Sequence, residues 1–150
     1  MRGNTQLAVA THVLMLVGAY GNDIKVTSDF ISGSAGINPV LIRNIFTKLK
    51  KAGILLTSAG RGQTRLARPA AEITLWDIYT AVESESSLDI FKIHRNTSPE
   101  CPVGRFISAN LVTHLDDAVL AMRAKMSQTT LATLIAELKA NEKRGGKESF

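Results

Sequence analysis

Hydrophobic residues recur every three or four positions in the first half of the chain, which is the spacing of a buried helix face. The first run follows Thr5 and ends near Gly18, and it predicts a helix with one buried stripe. A shorter helix is predicted around residues 29–34, where Gly36 ends it, and Asn38-Pro39 starts a longer one. A short helix, a glycine turn and a longer helix form the helix-turn-helix pattern.

The helix predicted from Pro39 has two different faces. At about 100° per residue, its apolar positions fall within an arc of about 140°. The opposite, basic and polar face consists of Val40, Arg43, Asn44, Thr47, Lys50 and Lys51. In a recognition helix the N-terminal residues contact base edges, and arginine suits guanine, asparagine suits adenine, and methyl groups suit thymine. The first four are therefore candidate base contacts and the two lysines candidate phosphate contacts, although an ordinary amphipathic surface helix has the same pattern.

Two short β-forming segments follow this helix. Residues 54–57 and 64–67 flank a glycine-rich turn, which predicts a β-hairpin, or wing. Arg61 stands between two glycines at the tip, where little bulk would hinder its entry into the narrow minor groove, whose negative potential attracts arginine. Arg65 and Arg68 are expected beside it as contacts to the DNA backbone.

The second half predicts three more helices. Thr74 and Asp77 have the spacing of a capping box at the start of a fourth helix that ends near Val82. A long helix from about residue 104 carries an apolar stripe too extensive for so small a domain to bury, so its expected use is dimerisation. The stripe of this long helix consists of Ile107, Leu111, Leu115, Ala118, Met122 and Met126. A last helix follows Thr129-Thr130.

The predicted fold class is mainly α with a small β-hairpin wing. Residues 1–82 are predicted to form a winged helix-turn-helix domain and residues 83–103 a connecting or sensor segment. Residues 104–141 are predicted to form the dimerisation helix and a C-terminal helix, and residues 142–150 a flexible tail.

The positive charge is concentrated in the first half of the chain. Residues 1–68 hold nine basic and two acidic residues, a net charge of +7, whereas residues 69–150 hold nine basic and eleven acidic ones, a net charge of −2. A basic domain joined to a faintly acidic one favours a polyanionic partner such as double-stranded DNA over a solvated surface of random sign.

Composition excludes several classes of protein. With 150 residues and 45% hydrophobic content the chain can form a real core and is not a disordered chain. It has no run of about 18 uncharged apolar residues, so no membrane span is predicted. The apolar run after Arg2 faintly resembles a signal peptide, but Thr11 and His12 interrupt it, and a buried first helix is the better interpretation. The predicted location is cytoplasmic.

Cys101 is the single cysteine of the chain. One cysteine cannot form an internal disulfide or ligate a cluster alone, and His12, His94 and His114 have no metal-ligand spacing, so no metal or cofactor is predicted. Pro102 suits the first position of a helix, which makes Cys101 its cap and favours a redox-active thiolate. The alternative is a half-buried structural cysteine.

Several motifs follow one another along the chain in an order that is typical of one family. They are Asn38-Pro39, the sequence from Leu49 to Leu55, the glycine wing, Leu66-Ala67-Arg68-Pro69, Glu72-Ile73-Thr74-Leu75 and Thr129-Thr130-Leu131-Ala132. In these motifs the chain resembles the Rrf2 family of bacterial winged helix-turn-helix transcriptional regulators. The resemblance covers about residues 5–138 and is most specific from the wing to the fourth helix.

The resemblance implies a homodimer that binds a pseudo-palindromic operator, most often as a repressor. It places major-groove contacts on residues 38–47, Asn38 and Pro39 included, and the minor-groove contact on Arg61. Many relatives hold a [2Fe–2S] cluster with three cysteines between the fourth and fifth helices. Because only Cys101 stands there, the chain resembles the branch that lacks the cluster.

The sequence thus predicts a DNA-binding regulator that is not an enzyme. The two alternatives are a thiol-dependent redox enzyme that uses Cys101, which lacks a resolving cysteine, and a winged-helix module that binds protein instead of DNA.

Overall fold

A computed structural model describes residues 5–58, 62–83, 90–91 and 97–145. Its mainly helical architecture with a two-stranded antiparallel hairpin confirms the predicted fold class. The first elements are α1 (Thr5–Tyr20), α2 (Ser28–Ala35), α3 (Pro39–Lys51), β1 (Leu55–Thr57), β2 (Thr64–Leu66) and, after a 3₁₀ turn (Ala70–Glu72), α4 (Leu75–Val82). They are followed by α5 (Pro102–Phe106), a π-helical turn (Ile107–Leu111), α6 (Val112–Gln128) and α7 (Leu131–Gly145).

The helix starts are fixed by side chains that bond to the first turn. Asn38 Oδ1 accepts a hydrogen bond from the Val40 amide at 2.8 Å, as expected of an N-cap before proline. Thr74 and Asp77 form the predicted capping box of α4. Gly36 ends α2 with a φ of 64°, a left-handed conformation that favours glycine and turns the chain toward α3.

The hairpin pairs Leu55 with Leu66, Leu56 with Arg65 and Thr57 with Thr64. Because successive side chains of a strand point to opposite faces, Leu55 is fully buried in the core while Leu56 is 43% exposed. The wing is therefore anchored by one face and presents the other to solvent.

One buried cluster joins the winged region to the last helix. Leu131 and Ile135 of α7 lie in the same core as the apolar faces of α1, α3 and α4. The backbone holds α7 as well, since the Leu131 amide donates to the Ile73 carbonyl at 2.7 Å. Gly18 permits this packing, because a Cβ there would lie 2.6 Å from Cδ1 of Ile135. The helix continues to Gly145, beyond the expected end near residue 141.

Residues 102–128 form one continuous helical rod, about 40 Å long at 1.5 Å per residue. We call it the long helix. The chain's own α4 packs against the long helix, where Val119, a residue outside the expected stripe, is buried at 4% exposure and Trp76 lies beneath Arg123, with the guanidinium 5.8 Å from the ring centroid. Four residues of the expected stripe are half-buried, namely Ile107, Leu115, Met122 and Met126, whereas Leu111 and Ala118 are exposed. The exposed large apolar residues of the long helix are Val103, Phe106, Leu111 and Leu120.

Within the described ranges, no helix is both long enough and apolar enough to cross a membrane.

Candidate nucleic-acid interface

Helix α3 has the two faces that its sequence indicates. Ile42, Ile45 and Leu49 are fully buried and hold the helix against the core. On the opposite side Val40 is 62% exposed, and its neighbours along the same face are open to solvent as well. These exposed neighbours are Arg43, Asn44, Thr47, Lys50 and Lys51. A rigidly held helix therefore presents a polar and cationic surface, which is the geometry a major groove accepts.

The first residues of this face are partly committed to the helix itself. Asn38 is exposed, but its side-chain oxygen caps the helix, so only its amide nitrogen remains as a donor toward a ligand. Pro39 occupies the first helical position and is half-buried. The Thr47 hydroxyl donates to the Arg43 carbonyl at 3.0 Å, which leaves its methyl group to face outward.

Arg43 has a partner in the neighbouring helix. Its Nη2 lies 3.5 Å from Oδ1 of Asp29, in the first turn of α2, and both side chains are largely exposed. The pair bridges the two helices of the helix-turn-helix on their solvent side. No motif in the sequence marks Asp29, because its partner lies on another helix.

Lys48 is the lysine of α3 that turns inward. Its ammonium donates to Gln6 Oε1 and to the Val82 carbonyl, each at 2.7 Å, and so ties α3 to α1 and to the end of α4. The carbonyls of a last helical turn have no partner within their own helix, and a cation satisfies them well. Lys48 therefore fixes the orientation of α3 from behind.

Arg65 and Lys25 are basic residues whose side chains lie at the hairpin. Arg61 lies outside the described residues. Arg65 is exposed on β2 and lines a polar cavity of about 460 Å³ between the end of α1 and the hairpin. Lys25, to which no sequence motif points, lies against the wing, because a Cβ built on Gly62 would be 3.5 Å from its Nζ. Only its place in the basic first half could have indicated it.

Arg68 is bound inside the chain. Its Nη1 donates to the Glu72 carbonyl at 3.1 Å, and its Nη2 lies 3.4 Å from Oδ2 of Asp77, the capping-box residue of α4. The side chain is 36% exposed, so the guanidinium braces the turn between the wing and α4.

Cys101 is exposed and caps α5, where its Sγ accepts a hydrogen bond from the Gly104 amide at 3.4 Å. Pro102 takes the first helical position, as predicted. His94 lies outside the described residues. Among the described residues, no three His, Cys, Asp or Glu side chains are grouped so that they could hold a metal ion.

A second concave surface lies away from α3, between α1 and α7. This groove, of about 500 Å³, is mainly apolar and includes Met15, Leu134 and Leu138. At its edge the Tyr20 hydroxyl donates to the Glu142 carboxylate, and this hydrogen bond, together with burial, raises the pKa of Tyr20 above its ordinary value.

A helix-turn-helix with an exposed cationic second helix, followed directly by an antiparallel hairpin, defines the class of winged helix-turn-helix DNA-binding proteins. The comparisons with known proteins give the particular family. The Rrf2 family model, described as "Iron-dependent Transcriptional regulator", matches residues 4–137. YwnA of Bacillus subtilis, described as an HTH-type transcriptional regulator, is 35% identical over 135 residues, which are 90% of this chain and 98% of YwnA.

Solved structures agree. A crystal structure of a protein described as DNA-binding is 32% identical with a TM-score of 0.69, covering 87% of this chain and 98% of the other. A Lactobacillus plantarum protein described as a transcriptional regulator is 28% identical with a TM-score of 0.74, covering 92% of each chain. The chain belongs to the Rrf2 family of HTH-type transcriptional regulators. Membership of this family implies a protein that is not an enzyme.

Proposed function

We propose that the chain is a homodimeric, sequence-specific repressor in which α3 enters the major groove of an operator. The observation that carries the proposal is the exposed face of α3, where Val40, Arg43, Asn44 and Thr47 lie together on a helix whose other face is fully buried. These side chains offer guanidinium, amide and methyl groups, the chemical groups that distinguish base pairs in the major groove.

The remaining cations are proposed to position the protein on the phosphates. Lys50 and Lys51 continue along the exposed face of α3, and Arg65 lies on the exposed face of the wing. Asn38 and Pro39, at the start of α3, are proposed to lie at the major groove with the rest of this face. Arg61 is proposed as the minor-groove contact, because it stands between two glycines in the wing sequence and the family resemblance implies the same role. The Arg68 guanidinium already binds Asp77 and Glu72, which compete with any phosphate. We therefore propose that Arg68 makes only a weak contact with the DNA backbone.

The test compares two variants of the same helix on two duplexes. The specific duplex is one recovered by the purified chain from a random-sequence pool, and the control is a shuffled duplex of equal length. Arg43→Ala should reduce affinity for the selected duplex more than for the shuffled one, whereas Lys51→Ala should weaken both about equally. Equal losses on both duplexes for both variants would refute α3 as the recognition helix. Repression is tested separately by a reporter whose promoter carries the selected site.

Dimerisation is proposed to use the exposed end of the long helix. Val103 and Phe106 are 64% and 57% exposed, and Leu111 is 38% exposed. Large apolar side chains grouped on one helix are unfavourable in water and typical of a subunit interface. Phe106→Glu should shift the chain from dimer to monomer in sedimentation, while Ala136→Glu, on the exposed side of α7, should not. A wild-type chain that sediments as a monomer would refute the proposal.

The two recognition helices of such a dimer should address half-sites about 34–36 Å apart or a multiple of that distance. The spacing of the repeats in the selected duplex measures this directly.

A redox response through Cys101 is a second proposal within the same function. The thiol is exposed, and it stands at the start of the long helix that the dimer is proposed to use. Attack of the Cys101 sulfur on oxidised glutathione would break its S–S bond, form a mixed disulfide and release reduced glutathione. The Cys101 of a second subunit would then displace the bound glutathione to form an intersubunit disulfide, and either product would alter the spacing of the two recognition helices. Oxidised glutathione should release wild-type protein from the selected duplex and leave the Cys101→Ser variant bound. Equal release of both proteins would exclude the thiol as the sensor.

We also propose that the chain belongs to the branch without an iron–sulfur cluster. The full sequence offers Cys101 as its single thiol, and one thiolate is too few to hold such a cluster by itself. Protein purified without oxygen should therefore show no cluster absorbance in the visible range.

A further inference from the structure

Asp29 places a negative charge beside the proposed base contacts. It lies in the first turn of α2, and its carboxylate faces the Arg43 guanidinium across 3.5 Å. The Asp29 side chain is 79% exposed and that of Arg43 is 62% exposed. An ion pair as open to solvent as this one contributes little to folding. Its position in the interface is therefore its more consequential property.

An acid is unusual in this part of the chain. Residues 1–68 contain two acidic residues, Asp23 and Asp29, against nine basic ones. When α3 enters a major groove, α2 crosses the phosphate backbone. Asp29 would then stand close to phosphates that it repels, while the Arg43 guanidinium beside it is the group best suited to guanine.

We propose that Asp29 sets the sequence specificity of Arg43. The carboxylate holds the guanidinium over the exposed face of α3 and away from indiscriminate contact with phosphates. At a guanine in register, the guanidinium donates two parallel hydrogen bonds to O6 and N7 while Asp29 still holds its other edge, and such bidentate contacts discriminate between bases by roughly tenfold or more. On other sequences no such contact offsets the repulsion between this carboxylate and the phosphates. The inference rests on the proposed role of α3.

The experiment measures the ratio of affinities for the selected and shuffled duplexes. Asp29→Asn should raise affinity for the shuffled duplex about threefold to tenfold, because the repulsion is lost and Arg43 is released to meet a phosphate. On the selected duplex the same gain is offset by the loss of the carboxylate that holds Arg43 on its guanine, so affinity there should change less than twofold. Asp29→Glu keeps the carboxylate and should keep the wild-type ratio. Asp23→Asn makes the same change of charge at an exposed position after α1 and should leave the ratio within about twofold.

The same substitution in an Arg43→Ala protein distinguishes an effect of the Asp29–Arg43 pair from simple repulsion between Asp29 and DNA. In the Arg43→Ala protein, Asp29→Asn should no longer change the ratio, because the group that Asp29 restrains is absent. An unchanged ratio in Asp29→Asn alone, an equal fall with Asp23→Asn, or an equal fall in the Arg43→Ala background would each overturn the proposal. If the wild-type chain recovers no enriched sequence, the recognition role of α3 fails and this proposal with it. An enriched sequence with an unchanged ratio refutes the role of Asp29 alone.

Discussion

Lys48→Met should weaken the fold while leaving the phosphate contacts of α3 intact. Lys48 and Lys50 are two residues apart on the same helix, yet Lys48 turns toward the core and Lys50 is exposed. Methionine has nearly the length and helix propensity of lysine, so the substitution removes the ammonium and little else. Lys50→Met is the matched control.

The size of the effect follows from two hydrogen bonds. Lys48 donates to Gln6 Oε1 and to the Val82 carbonyl, each at 2.7 Å. Hydrogen bonds from charged groups contribute about 1.5–3 kcal/mol each. Lys48 and Gln6 are only half-buried, so water can replace part of each bond. We therefore expect the free energy of unfolding to fall by about 1–3 kcal/mol in total, which is less than two full bonds would contribute. For a chain of this size that corresponds to a fall in Tm of about 2–10 °C.

Urea unfolding and salt titration together decide the question. Lys48→Met should lower the urea midpoint and leave unchanged the slope of log affinity for DNA against log salt. Lys50→Met should do the opposite, with the wild-type midpoint and a slope smaller by about 0.9, the value for one phosphate contact. If Lys48→Met instead reduced the salt slope and unfolded at the wild-type midpoint, Lys48 would be a phosphate contact and its structural role would be refuted.

Two further predictions concern the turn of the helix-turn-helix and the last helix. Gly36→Ala should destabilise the protein by about 1–2 kcal/mol, because alanine is strained at a φ of 64°, whereas Gly33→Ala, inside α2 with no atom within 4 Å of the new Cβ, should stabilise it by about 0.5–1 kcal/mol; urea midpoints that move in the same direction would contradict this. The Glu142 hydrogen bond raises the pKa of Tyr20 above 10.0, so the free energy that Tyr20 contributes is present below about pH 10 and is lost as the pH rises through the folded value. Glu142→Ala, which removes the acceptor, should lower that pKa in a tyrosinate absorbance titration, made in a Tyr79→Phe background because burial raises the pKa of Tyr79 too, and an unchanged titration would exclude the hydrogen bond as the cause.

The features predictable from sequence are those that depend on neighbours within one or two turns. Asn38 as the cap of α3, Thr74 with Asp77 as a capping box and Cys101 as the cap of α5 each need only a residue two or three positions away. The division of α3 into two faces needs only the helical period. Local spacing therefore established both the helix-turn-helix and the face of α3 that is exposed.

The features that sequence did not reveal depend on distant parts of the chain. Lys48 bonds to a residue 42 positions earlier and to a carbonyl 34 positions later, so no local pattern marks it as internal. Trp76 is buried under Arg123 because the long helix folds back over α4. For the same reason, the apolar stripe alone could not indicate how much of the long helix is covered by the rest of the chain.

These long-range contacts change the meaning of the net charge of the basic half. Nine basic residues lie in residues 1–68, but the structure gives Arg43, Lys48 and Arg68 partners within the chain. The other described cations of this half, Lys25, Lys50, Lys51 and Arg65, are exposed, as is the Arg43 side chain beside Asp29. Each phosphate contact adds about 0.9 to the salt slope. The slope of log affinity against log salt for shuffled DNA should therefore depend on the number of exposed cations, with Arg43 masked by Asp29, and not on the formal net charge of residues 1–68. The salt dependence of binding thus measures how the fold distributes its cations.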